Sequence, residues 1–109
     1  MPTRSGVLCS AVSAGAGGFV IGTVTSTDSW VIKDWRIYNS TGAPVNVTLL
    51  ITNPGGTTFG VRFLASVGAG AFASGNGWVA AMPNAQVQAI PGAAGVHFWV
   101  SGADLPGHL

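Results

Sequence analysis

Clusters of glycine, proline, asparagine and serine cut this chain at short intervals, and the runs between them have the length of strands rather than helices. Eight runs stand out, at 7–12, 19–25, 30–39, 45–52, 58–65, 77–82, 85–90 and 95–101. The breaks have a mechanism. Ser40, Thr41, Gly42, Ala43 and Pro44 supply turn-compatible backbone angles, as do Asn53, Pro54, Gly55 and Gly56, and each proline removes a ladder donor. Among 109 residues there is no glutamate, one lysine and two glutamines against 13 valines and nine threonines, so formers of exposed helix are missing while strand formers abound. The expected fold class is all-β, an antiparallel β-sandwich of jelly-roll or Ig-like type with about eight strands, forming a single domain over 1–109. Residues 1–6 read as an N-terminal arm and 103–109 as a C-terminal tail.

Alternation assigns faces to these strands. In 45–52 the residues Val45, Val47, Leu49 and Ile51 share one side, which is expected to be core. Phe59, Val61 and Phe63 oppose Gly60, Arg62 and Leu64, and Val96, Phe98 and Val100 oppose His97, Trp99 and Ser101, completing an inner layer with Trp99 pointing outward. In 30–39 the set Val31, Lys33, Trp35 and Ile37 alternates with Trp30, Ile32, Asp34, Arg36 and Tyr38, so neither side is purely polar and the strand is expected to be covered on both faces. The glycine- and alanine-rich stretch 66–76, with Phe72 at its centre, reads as a surface loop or a subunit-contact arm.

Much chemistry is missing. Only 6% of residues are charged and the net charge is +1, against about a quarter charged in ordinary soluble domains, so no nucleic-acid partner is expected. No run approaches the ~20 apolar residues of a membrane helix, and no membrane partner is expected. Cys9 and Ser10 interrupt the first apolar run, which is too short for the core of a secretory signal. The single cysteine allows no internal disulfide, and Cys9 reads as a buried strand residue. Cys9, His97, Asp104 and His108 lack metal-ligand spacing, so no metal and no cofactor are expected. Two histidines, one cysteine and three aspartates make no evident nucleophile and base pair, so no catalytic residue is assigned and the chain is not expected to be an enzyme. Gly75, Gly77 and Ala80 match a dinucleotide-binding pattern in spacing alone, without the strand before it or the helix after it.

Four tryptophans remain to be explained. Trp30 and Trp35 suit a core or intersheet position, and Trp78 and Trp99 suit subunit contacts. The candidate interface set is Trp78, Trp99, Phe72, Tyr38 and Trp30. A small domain with this many aromatics and so few charges is expected to bury its surplus apolar surface as a homo-oligomer. Tryptophan also serves as a stacking platform for sugars, and a carbohydrate-binding module for host-surface attachment is the alternative reading. The few carboxylates and amides of this chain argue against it.

Two stretches, 30–51 (WVIKDWRIYNSTGAPVNVTLLI) and 94–107 (AGVHFWVSGADLPG) after the Pro91-Gly92 turn, resemble small virion proteins of tailed bacteriophages, particularly those infecting actinobacteria. The resemblance implies a β-sandwich that decorates or joins the head, collar or tail. It implies a symmetric homo-oligomer, often a trimer, whose partners are the major capsid or other virion proteins. The function expected from it is that of a capsid decoration or head-associated protein cementing capsomers, assembled in the bacterial host cytoplasm and located in the virion. A collar or tail accessory protein is the alternative within that class.

Overall fold

The computed structural model describes residues 4–52 and 58–106. Eight strands are formed: β1 (Arg4–Val12), β2 (Phe19–Thr23), β3 (Asp28–Asn39), β4 (Val45–Thr52), β5 (Thr58–Val67), β6 (Phe72–Ala81), β7 (Gln86–Ile90) and β8 (Val96–Pro106). They lie in two four-stranded antiparallel sheets, the first in the order β1-β8-β3-β6 and the second in the order β2-β7-β4-β5. This interleaving decides between the two expected sandwiches: it is the double Greek key of a jelly roll, not the strand order of an Ig domain.

The core sits between the sheets. Trp30, Ile32, Trp35, Ile37, Val96, Phe98 and Val100 come from the first, and Val45, Val47, Leu49, Ile51, Val87 and Ala89 from the second. The faces expected of β4 and β8 are the ones observed, with Phe98 1% exposed and meeting Phe19 edge-on at 6.1 Å. The side chains of Phe59, Val61 and Arg62, and the turn at 53–56, lie outside the described residues.

Strand β3 departs from the expectation of cover on both faces. Ile32 pairs with Gly102 and Asp34 with Ser101, so Lys33 is an extra residue, and in β6 Gly77 and Trp78 stand opposite it. A bulge shifts the side-chain alternation by one. Trp30 and Ile32 before it and Trp35, Ile37 and Asn39 after it therefore all face inward, while Asp34 and Arg36 are exposed. Glycine permits the irregularity: Gly77 has φ 147°, and a Cβ on Gly102 would strike the Val31 carbonyl.

Residues 66–76 are mostly strand, correcting the loop reading. Ser66 and Val67 end β5, 72–76 begin β6, and only 68–71 turn between them. The glycine that weakened the strand signal has a packing role, because a Cβ on Gly75 would fall inside the Trp35 indole. Likewise, Arg4, Ser5 and Gly6 pair with Asp104, Ala103 and Gly102, so the expected arm and tail are ladder over those positions, and 1–3 and 107–109 lie outside the described residues.

Two buried polar side chains hold one end of the sandwich. Asn39 Nδ2 donates to the carbonyls of Ala43 (2.8 Å) and Val67 (3.0 Å), while its Oδ1 accepts from the Thr41 N–H (2.9 Å) and hydroxyl (2.6 Å). One residue thus ties the β3–β4 turn to the end of β5. The Ser13 hydroxyl donates to the Ala93 carbonyl (2.6 Å) and accepts from the Val96 N–H (2.9 Å), anchoring β1 to the start of β8.

Candidate functional site

The two outer faces of the sandwich differ in chemistry. Past the bulge, β3 presents Asp34, Arg36 and Tyr38 to the outside of the first sheet, while β8 presents His97, Trp99 and Ser101 at period two. Antiparallel pairing brings these sets together, with Asp34 opposite Ser101, Arg36 opposite Trp99 and Tyr38 opposite His97. From β6 the register adds Phe72 opposite Tyr38, Ser74 opposite Arg36 and Asn76 opposite Asp34.

An aromatic row crosses this face. Phe72, 63% exposed, stacks on Tyr38 at 4.5 Å; Tyr38 lies 5.6 Å from the His97 ring; and His97 stacks on Trp99 at 5.8 Å with the planes 17° apart. Such cross-strand and same-strand ring contacts contribute to the pairing of β6, β3 and β8.

Beside the row are two shallow depressions. One, of about 210 Å³, is lined by Val7, Asp34, Arg36, Trp99 and Ser101. It lies on the Ser101 side of Trp99, away from His97. The other, of about 370 Å³, is lined by Asp34, Trp35, Arg36, Ser74, Gly75 and Asn76. Asp34 and Arg36 border both, so the two are parts of one surface. It brings together indole walls, one carboxylate, one guanidinium, an amide and hydroxyls.

The second sheet is different. None of its described side chains is charged. Its outer face carries Val20 (45% exposed), Ile90 (46%) and Leu64 (71%), and Thr48 lies between Ile90 and Leu64 in register.

Of the five residues expected at an interface, Trp99, Phe72 and Tyr38 are brought together on the first sheet's outer face. Trp30 does not join them, because the bulge leaves it on the inner face, 6% exposed within the core. The Trp78 side chain lies outside the described ones. Asp34, Arg36, Ser74 and Asn76 were not anticipated as site residues, since their convergence depends on a bulge and on a β3–β6 pairing in a region read as loop. The period-two set His97, Trp99 and Ser101 was the part visible in the sequence.

Cys9 is half-buried in β1, and a Cβ on Gly22 would fall 2.7 Å from its own Cβ. Burial pushes its thiol up to about 12, which disfavours the reactive thiolate. Among the described residues no group of three or more His, Cys, Asp or Glu could hold a metal ion. His108 lies outside them. No described helix is long and apolar enough to cross a membrane.

No protein-family model and no curated protein matches this chain. Solved structures do. A subunit of the Bacillus endospore appendages, described as disulfide-linked pili, is 19% identical, with 95% of this chain and 88% of that one covered at a TM-score of 0.58. A chain of the cyanophage Pam1 capsid is 16% identical, with 95% and 85% covered and a TM-score of 0.48. A chain of the IBDV viral particle is 12% identical with a TM-score of 0.49; 97% of this chain is covered and it spans 31% of the viral one. At these identities the likeness is one of fold alone, and it is the appendage subunit that carries it.

Proposed function

We propose that this protein is a structural component of a bacteriophage virion, a head-associated decoration subunit that cements neighbouring capsomers as a homo-oligomer. The observation that carries the reading is the second sheet's outer face. Side chains at the centre of a protein interface are depleted in charge and well packed, and here Val20, Ile90, Thr48 and Leu64 offer such a surface with no described charge to desolvate. The edge strand β2 of that sheet carries no charged residue to discourage pairing with a neighbour. The resemblance of 30–51 and 94–107 to tailed-phage virion proteins supports the same reading, and the jelly roll is an architecture that capsid proteins use. Phe72, exposed where β6 begins, and Tyr38 stacked on it lie on the opposite outer face and offer a second, separate contact for a neighbouring protein.

A pilus subunit is a second reading, raised by the endospore-appendage likeness. Its weakness is covalent: the single cysteine of this chain cannot link one subunit to two neighbours by disulfides. Copy number in purified particles tests the proposal. A decoration subunit is present in proportion to the major capsid protein, whereas a collar or tail subunit is present as one small ring. Absence from particles overturns the virion reading.

A further inference from the structure

We propose that the outer face of the first sheet binds a neutral glycan, with Trp99 as the stacking platform and Asp34 and Arg36 as the central polar pair. This goes beyond the assembly role and does not depend on it. Composition argued against a sugar site because carboxylates and amides are few. The fold alters that argument by concentration, since Asp34, Arg36 and Ser101 line the depression beside Trp99, and Asp34 and Arg36 also border the adjoining one with Ser74 and Asn76. A pyranose presents C–H groups on its ring faces and hydroxyls around its rim. An indole wall matches the first, and a mixed set of donors and acceptors matches the second.

Three features favour a glycan over other ligands. One ring face of Trp99 is turned to His97, which holds the indole in place while it lines the depression on the Ser101 side. The charged side chains lining the depressions are one carboxylate and one guanidinium, so the surface has no net charge to attract a polyanion. Finally, the two depressions lie on either side of β3, toward β8 and toward β6, and the three strands span two spacings or roughly 9.6 Å, room for two adjoining sugar rings.

The test is calorimetric titration of the purified protein with soluble neutral glycans (dextran, mannan, galactan, arabinogalactan and chitotetraose), with polyglycerol phosphate as an anionic comparison. Trp99→Ala and Asp34→Asn are measured in parallel, with circular dichroism and sedimentation on each. The expected result is binding to at least one neutral glycan, weakened about tenfold or more by Trp99→Ala and severalfold by Asp34→Asn. Both variants keep their β signature and oligomeric state. Should Trp99→Ala misfold, Asp34→Asn, at an exposed position, decides the matter alone. Binding to no neutral glycan, binding of polyglycerol phosphate alone, or glycan binding indifferent to Asp34→Asn overturns the proposal. So does loss of assembly in Trp99→Ala with glycan affinity unchanged. Copy number in the particle is unaffected by any of these results, so the two proposals fail separately.

Discussion

Phe98 and Trp99 are adjacent in sequence and belong to opposite sides of β8. Phe98 is 1% exposed, packed among the core residues of both sheets, and its truncation to alanine should cost about 3 to 5 kcal/mol. That is a large part of the stability of a domain this size. Urea unfolding of Phe98→Ala should show a midpoint near zero or no soluble protein, while Trp99→Ala should unfold close to the unsubstituted protein. At Cys9 the expected effect depends on pH. The folded thiol ionises near 12 because burial disfavours the thiolate, and the unfolded thiol ionises at its ordinary, lower value. Between the two, the unfolded chain loses a proton that the folded one keeps. Its contribution to stability is therefore complete below the ordinary thiol range and declines as pH rises toward 12. Thiol labelling at pH 8 should accordingly be much faster in urea than in buffer, and Cys9→Ser should reduce the stability loss in that alkaline window.

At the scale of strands, the bulge at Lys33 decides what the first sheet can do. Deleting Lys33 would remove the bulge and leave Trp30, Ile32, Trp35 and Ile37 in unbroken alternation on the inner face. Both the deletion variant and Lys33→Ala should therefore keep the near-ultraviolet circular dichroism of packed tryptophan, and loss of that signal in the deletion variant would show that the core needs the bulge itself. The same bulge marks the limit of what the sequence revealed. The inner face of β4 was legible because Val45, Val47, Leu49 and Ile51 alternate in the sequence, although Leu50 and Thr52 are buried as well, and the inner face of β8 was legible for the same reason. Strand β3 was legible as a strand but not in its faces, since nothing in WVIKDWRIYN announces an extra residue whose accommodation depends on Gly102 and Gly77 in other strands. The start of β6 was hidden by Gly75, which reads as a strand breaker until the Trp35 ring packed against it is seen.

For the whole molecule, the lack of charge among the described side chains of the second sheet gives the assembly reading a direct check. Leu64→Lys and Ile90→Lys each place an ammonium group on a face with no described charge, at positions already exposed in the single domain. Folding should be little changed, because exposed substitutions away from special features usually stay within about 0.5 kcal/mol. Association should suffer more, since an ion desolvated at an interface without a partner costs several kcal/mol. Sedimentation should show the oligomer shifted toward monomer for both variants and unshifted for Asp34→Asn on the opposite face. The position of β8 carries a consequence for synthesis. It is the eighth of the eight described strands to be made, it lies between β1 and β3, and among the described residues it is the one ladder partner of β1. Until β8 has emerged from the ribosome, β1 has no neighbour in its sheet and the first sheet has a gap at its middle. The nascent chain must therefore carry its earlier strands unclosed up to that point, and interruption before β8 leaves a polypeptide with no complete sheet on that side.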